Sequence, residues 1–283
     1  MLIKTDKAKK PKNRRVIPGF GLGLGVTLTM VSLIVLIPLC SIAVTSAQMG
    51  FPQFIRTITR ARVLASFQVS LICASVAALV NLVMGVLIAW VLVRYDFPGK
   101  RLLDGLIELP FALPTAIAGI TLTSLTASNG WIGRIFAQFG VAIAYTRIGI
   151  VLALIFVGIP FVVRAVQPVL EKLDGAYEEA AGMLGANRRT IFFRIIWPEI
   201  RPAALTGFGL ALARGLGEYG SVVFIAGNKP YSTEIVPLMI MSQLQQFDYA
   251  GATAIALVML LLSFVLLLIM NILQVRAAKR TLN

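Results

Sequence analysis

Six long apolar segments dominate this sequence of 283 residues. They lie at about 19–47, 64–93, 103–127, 147–168, 203–226 and 251–274. Each segment meets or approaches the ~20 apolar residues that a helix needs to cross the hydrocarbon core of a bilayer. Since 58% of all residues are hydrophobic, the composition excludes an ordinary soluble domain. The sequence therefore predicts an all-α polytopic membrane protein whose six transmembrane helices form one domain, residues 19–275.

The basic residues lie in the short segments that separate the apolar ones, and the formal net charge is +14. If the N-terminus is inside, the inner segments carry 18 of the 26 Lys and Arg residues and the outer segments carry 6. This bias predicts that both termini are cytoplasmic, with basic tails at 1–18 and 276–283. Membrane topology thus explains the positive charge, and we predict no binding of nucleic acid. The sequence has no histidine, the commonest metal ligand, and we predict no metal site.

Residues 172–200 are a polar segment between two apolar ones and are predicted to lie in the cytoplasm. A first short helix is expected to end at Gly185, because glycine readily adopts a left-handed backbone. A second helix is expected over 188–197, with Asn187 as its N-cap and Pro198 as its limit. Two short helices joined by a glycine form a compact knob that can sit in a cleft of a partner protein.

A different interpretation of this segment is an amphipathic helix that lies on the bilayer surface. That interpretation explains the basic residues and the aromatic side chains of Phe192, Phe193 and Trp197. It does not explain why the Glu-Ala-Ala sequence at 179–181 is followed by a glycine six residues after the glutamate. We therefore favour docking to a partner.

Several segments of the chain resemble those of type I ABC-importer permeases. They are RYDFPGKR at 94–101, LPFALPTAIAGITL at 109–122, NGWIG at 129–133, IPFVVRAVQP at 159–168, the motif that begins at Glu179, GEYGSVVFIAGN at 217–228 and FDY at 247–249. Within that family the chain resembles the T-type subunit of the sulfate/thiosulfate permeases over nearly its whole length. The motif at Glu179 is specific for the superfamily. The segments 109–122 and 217–228 are the ones that indicate sulfate as the substrate, and they are less decisive because molybdate permeases are near relatives.

The resemblance implies the type I permease fold with a cytoplasmic coupling loop at about 172–200, in the bacterial inner membrane. It also implies partners: a second sulfate permease subunit in a heterodimer, two ATP-binding subunits that hold ATP and Mg²⁺, and an external sulfate- or thiosulfate-binding protein. The residues that contact the ATPase would be Glu179, Ala180, Ala181, Gly185 and Ala186, with Pro198 closing the motif. The chain has no G-x-x-x-x-G-K-[ST] sequence, so it is not expected to be an enzyme, and no catalytic residue is predicted.

The function that the resemblance implies is passage of sulfate or thiosulfate into the cytoplasm by alternating access. One alternative is a permease for another oxyanion, such as molybdate or tungstate. An alternative of a different class is a secondary transporter, which would be expected to carry acids deep in the membrane or internal inverted repeats. Apart from Glu108 and Glu218 the sequence shows no deep acid, and it shows no clear repeat.

Two features of the predicted spans bear on the transport path. Arg214 lies near the middle of the fifth span, where a charge facing lipid costs at least ~2.5 kcal/mol, and Glu218 is one turn further on. Arg214 either lines the path and attracts an oxyanion or forms a structural ion pair with Glu218. Pro110 and Pro114 interrupt the third span and predict either a gate or a fixed bend.

Three further expectations concern packing. In the fifth span, small residues recur every four positions in two stripes, which predicts close approach of neighbouring helices. The stripes are Gly207, Ala211, Gly215 and Gly209, Ala213, Gly217. Arg164, near the inner end of the fourth span, is expected to extend to the membrane interface. The segment 227–250 is expected to contain a short interfacial or re-entrant helix.

Overall fold

The computed structural model describes residues 20–281, and every regular element in that range is helical. The helices are α1 Phe20–Gln48, α2 Phe51–Ile58, α3 Ala61–Arg94, α4 Lys100–Ala112, α5 Thr115–Thr126, α6 Trp131–Ala137, α7 Arg147–Lys172, α8 Ala176–Met183, α9 Arg188–Ile191, α10 Trp197–Leu216, α11 Val222–Ile225, α12 Val236–Gln245 and α13 Tyr249–Thr281. The predicted all-α class is confirmed. The predicted tail at 1–18 lies outside the described residues, and α13 continues into the predicted tail at 276–283.

Four of these helices, α1, α3, α7 and α13, are long and apolar enough to cross a membrane. Helices α4 and α5 form a fifth apolar segment, which is bent by 112° at the break between them. These five segments correspond to the predicted spans one to four and six. The chain is therefore a membrane protein with several apolar helices, as its composition requires.

The predicted fifth span, 203–226, corresponds to α10, which is shorter and more polar than expected. This helix has three charged side chains in 20 residues and ends at Leu216, so the predicted boundary at 226 is wrong. The chain turns there because the carboxylate of Glu218 accepts hydrogen bonds from the backbone N–H and the hydroxyl of Ser221, both at 3.0 Å. The turn separates α10 from the short helix α11.

The interior of the fold is formed by α3, α7 and α10, which pack on one another. Their buried side chains include Val69, Ile150, Val162 and Ile200. Helix α13 packs on α10 and on the second half of α1. In α1 most apolar side chains are exposed, which suits a surface that meets lipid.

Three glycines bring the backbones of the central helices close together. A Cβ at Gly85 of α3 would lie 2.6 Å from Cβ of Val162 on α7, and a Cβ at Gly207 of α10 would lie 2.6 Å from Cα of the same valine. A Cβ at Gly158 of α7 would lie 2.2 Å from Nδ2 of Asn81. Larger residues at Gly85 or Gly207 would force the helices apart, whereas at Gly158 the contacting atom is the end of a side chain that can move.

The two stripes of small residues in α10 have different surroundings. The stripe of Gly207 faces α7, so the predicted close approach is confirmed there. In the other stripe, a Cβ at Gly209 would meet Met270 and Gln274 of α13 at an ordinary 3.4 Å, and one at Gly217 would meet nothing within 4 Å. That second stripe is therefore not a site of close approach.

Pro198 does not end the helix that precedes it, contrary to the prediction. The helix runs from α9 through a π turn, Phe192–Ile196, directly into α10. In the π turn each N–H bonds to the carbonyl five residues earlier, and α-helical hydrogen bonding starts again after it. Pro198 therefore lies in the first turn of α10, where the N–H that proline lacks is tolerated. A second π turn, Ser32–Leu36, precedes Pro38 of α1 in the same way.

The close packing of α7 on α10 predicts that Gly207→Ala destabilises the protein. The added Cβ would meet a backbone atom, and overpacking of this kind costs about 1–3 kcal/mol. The measurement is the apparent unfolding temperature of the detergent-purified protein. Gly209→Ala, two residues away on the same helix, is the matched control because its Cβ has room. Equal unfolding temperatures for the two variants would contradict the packing described here.

Candidate functional site

The polar segment between α7 and α10 projects from the helical core. Its helix α8 has no buried residue. The apolar side chains of Tyr177, Met183 and Leu184 are 64%, 85% and 90% exposed, although such side chains are usually covered in a folded protein. A polar segment that displays apolar side chains is typical of a surface that docks on a partner.

The turn after α8 follows from two residues that the sequence singled out. Gly185 has φ of +83°, and the N–H groups of Gly185 and Ala186 bond to the carbonyls of Gly182 and Ala181, both at 3.0 Å. This pair of hydrogen bonds is the Schellman motif, which needs a left-handed residue at the glycine position. The predicted conformation of Gly185 is confirmed.

Asn187 caps the next helix as predicted: its side-chain oxygen accepts a hydrogen bond from the N–H of Thr190 at 2.8 Å. The residues predicted to contact a partner differ in exposure. Glu179, Ala180 and Gly185 are exposed, whereas Ala181, Ala186 and Pro198 are half-buried. The exposed members therefore form the part of the motif that a partner can reach.

An ion pair that sequence reasoning missed ties α8 to the core. Arg94, the last residue of α3, donates a hydrogen bond from its guanidinium to the carboxylate of Glu178. The same guanidinium lies 5.5 Å from the ring centre of Trp90, which makes a T-shaped contact with the ring of Phe192, with 5.8 Å between the two ring centres. Arg94 begins the conspicuous segment 94–101, but nothing local in the sequence reveals a partner 84 positions later.

The break between α4 and α5 lies at Leu113 and Pro114. Leu113 has an extended backbone, as expected of a residue before proline, and Pro114 is the N-cap of α5. Pro110 lies inside α4 and is buried. Pro114 thus marks the break, and Pro110 lies one turn before it.

Arg164 fastens α4 to α7 through carboxylates that sequence reasoning did not assign to it, and its extension to the membrane interface stays a prediction. Its guanidinium donates a hydrogen bond to the carboxylate of Asp104 and forms an ion pair with that of Glu108, both at 2.8 Å. Asp104 and Glu108 are four residues apart and lie on the same face of α4. Arg164 thus has two carboxylate partners on one neighbouring helix.

Helix α5 packs directly on the turn that follows α10. A Cβ at Gly119 of α5 would lie 2.4 Å from the carbonyl oxygen of Ser221, and one at Gly220 would lie 2.1 Å from the hydroxyl of Thr115. The two interruptions of helical structure, at Pro114 and at 217–221, are therefore neighbours in space. Broken helices inside a membrane protein are tolerated where they face protein or a cavity.

Arg214 and Glu218 form an ion pair at the end of α10, with 2.5 Å between nitrogen and oxygen. The Glu218 side chain is only 1% exposed, whereas Arg214 is 38% exposed. One oxygen of the carboxylate binds Arg214, and the other binds Ser221. The arginine neutralises a buried carboxylate while its own side chain stays partly exposed.

The segment before α12 is fastened to the first turns of α3 and α7, at the ends of these helices that lie far from α8. Arg62 makes two hydrogen bonds, of 2.7 and 2.8 Å, to the carboxylate of the buried Glu234. Arg147 donates to the carbonyl of Ser232 at 2.8 Å. The short helix expected within 227–250 is present as α12.

Comparison with known proteins identifies the family. Residues 81–283 match the family described as binding-protein-dependent transport system inner membrane component. The sulfate transport system permease proteins CysT of Salmonella typhimurium and of Escherichia coli K12 are 49% and 50% identical to the chain over 271 residues, covering 96% of this chain and 98% of each relative. The CysT protein of Synechocystis is 46% identical over 249 residues, covering 88% of this chain and 87% of that relative.

The fold is shared with a solved transporter of lower sequence identity. A chain in the crystal structure of a bacterial alginate ABC transporter in complex with an alginate pentasaccharide-bound periplasmic protein superposes with a TM-score of 0.75 at 19% identity. The match covers 91% of this chain and 94% of that chain. It confirms the predicted permease fold.

The matched range includes both broken segments and the whole projecting segment around α8. On the strength of that match, and of relatives about half identical over nearly all of their length, the chain belongs to the binding-protein-dependent transport system inner membrane components.

Proposed function

We propose that this chain is a transmembrane subunit of an ATP-driven ABC importer that carries sulfate or thiosulfate into the cytoplasm. The observation that carries the proposal is the projecting segment around α8, a polar knob with exposed apolar side chains in a protein otherwise built largely of apolar helices. The similarity to sulfate permeases over 96% of the chain supports sulfate as the substrate.

The knob docks on a separate ATPase subunit, which binds ATP and Mg²⁺. Glu179 and Ala180 are exposed for this contact, and Gly185 sets the direction in which the chain leaves α8. The excess of Lys and Arg on the same side of the predicted spans supports a cytoplasmic location for the knob, where ATP is available. This chain transmits the movement of the ATPase to the membrane helices, and ATP hydrolysis supplies the free energy.

Transport proceeds by alternating access in a heterodimer with a second sulfate permease, above two ATPase subunits. An external binding protein delivers the anion. Binding of ATP draws the two ATPases together, the knobs move with them, and the path opens outward. Hydrolysis restores the inward-open state. The adjoining breaks at Pro114 and 217–221 support a gate in this region, because helix termini there can change direction without breaking a continuous helix.

The experiment that tests the substrate is uptake of labelled sulfate by cells that lack this gene and are complemented with the wild-type chain. Uptake should be restored, and excess thiosulfate should compete with it. If the wild type restores no sulfate uptake but restores uptake of molybdate, the substrate is that other oxyanion and the proposal is wrong in this part.

The same cells distinguish the two classes of transporter. Vanadate should block uptake, because it traps the ATPase, whereas an uncoupler at constant cellular ATP should not. Uptake that is insensitive to vanadate and abolished by the uncoupler would identify a secondary transporter instead.

Gly185→Val is expected to reduce sulfate uptake about tenfold. A left-handed backbone costs an L-residue about 1–2 kcal/mol, so the knob would no longer hold its docking conformation, and 1.4 kcal/mol corresponds to a factor of ten. Gly140→Val is the matched control: Gly140 has φ of +72°, has nothing within 4 Å of its Cβ, and ends the turn after α6 with the same pair of backbone hydrogen bonds, far along the chain from the knob. Normal uptake by Gly185→Val, or an equal loss in both variants, would contradict the docking role.

Arg214→Gln is expected to abolish uptake while the complex still assembles. The substitution leaves the buried carboxylate of Glu218 without its counter-ion, at a cost of roughly 1–3 kcal/mol, less than for a fully buried pair because Arg214 is partly exposed. The double variant Arg214→Gln/Glu218→Gln removes both charges. Recovery of uptake in the double variant is the expected result and assigns the pair a structural role; failure to recover in an assembled complex would show that the anion needs the guanidinium itself.

A further inference from the structure

Among the side chains that the structure describes, those of residues 20–276, one charged group of the core attaches to helix α8: Arg94, through its ion pair with Glu178. No side chain of α8 is buried, so packing contributes little to its position. Adjacent residues divide two roles: Glu179 is exposed for a partner, whereas Glu178 is half-buried against α3. A force applied to α8 through its exposed face therefore reaches α3 at Arg94, in addition to passing along the chain into the helices before and after α8.

Arg94 is well placed to receive such a force. It is the C-terminal residue of α3, where a cation interacts favourably with the helix dipole. The ring of Trp90 holds the guanidinium from one side, and the Arg94 and Glu178 side chains are only 23% and 26% exposed. Partial burial and the aromatic contact make this pair stronger and better oriented than a fully exposed surface pair.

Helix α3 has the length and the packing to carry a displacement across the membrane. Its 34 residues span about 50 Å at 1.5 Å per residue. It has buried residues along its whole length, from Val63 near one end to Leu92 near the other. Close contacts with α7 at Gly85 join it to the rest of the interior.

We propose that the ion pair between Arg94 and Glu178 makes α8 and α3 move as one body, so that displacement of α8 by the ATPase becomes displacement of α3. Arg94 and Glu178 are positioning residues for transport. The inference rests on the proposed function, since it concerns how ATP-driven motion enters this chain.

The test uses the complete importer reconstituted in proteoliposomes, with the wild-type chain or with Arg94→Gln, Glu178→Gln or both. The readout is the amount of sulfate imported per ATP hydrolysed. Each single variant should lower this ratio at least fivefold while ATP hydrolysis continues. The double variant should be no worse than the poorer single one, because the effect of both residues passes through one bond.

The matched control is Lys100→Gln. Lys100 pairs with Asp96 at 2.9 Å in the segment that follows α3, but Asp96 is 98% exposed and this pair does not involve α8. The control should keep the wild-type ratio. A second readout, hydrogen exchange of the backbone amides of 176–183 in the same complexes, should show faster exchange in the single variants and no change in the control.

A normal ratio of sulfate imported to ATP hydrolysed in assembled single variants would overturn the inference, and so would additive losses in the double variant. Failure of every variant to assemble would also overturn it, because the pair would then be a requirement of folding. If the wild-type complex imports no sulfate, the proposed function fails. Hydrogen exchange of the amides of 176–183 still tests the inference in that case. Unchanged exchange in both single variants overturns the inference, whatever the substrate is.

Discussion

The close contact of α3, α7 and α10 is the constraint on which the rest of the structure depends. Gly85 and Gly207 leave no room for a side chain where α3 and α10 meet Val162 of α7, so the three helices pack as one unit. Lipid gives helices no hydrophobic reason to associate, and association within a membrane depends on such close packing. The functional features are attached to this unit at its margins. At one end Arg94 connects it to α8, and at the other Arg62 connects it to Glu234.

Features set by neighbouring residues could be predicted from the sequence. The apolar runs predict the helices because only internally hydrogen-bonded segments can cross a bilayer. The left-handed Gly185 and the Asn187 cap follow from local backbone rules and were both confirmed. The prediction for Pro198 was wrong although it used a local rule, because a π turn moves the proline into the first turn of the next helix. The end of α10 was misplaced because it depends on the carboxylate of Glu218.

Contacts between distant parts of the chain could not be predicted. The pairs of Arg94 with Glu178 and of Arg62 with Glu234 join residues 84 and 172 positions apart, and only the folded chain brings them together. The partners of Arg164 could not be predicted either, because they lie on another helix, 60 positions away in the case of Asp104. In each of these cases a charge that the sequence could only place in or near an apolar span turned out to have a specific partner. Ion pairs therefore hold both the knob and the broken helices against their neighbours.

The importer proposed here must accumulate its substrate against a concentration gradient. It must do so only when ATP is present on the side of the membrane where the knob, residues 172–200, projects. We would measure labelled sulfate in proteoliposomes that contain the reconstituted complex, with ATP enclosed inside or added outside in separate samples. Sulfate should rise above its equilibrium concentration on the side that holds both ATP and the knob. Equilibration without ATP, or accumulation driven by a proton gradient alone, would contradict the conclusion that this chain is moved by an ATPase through α8.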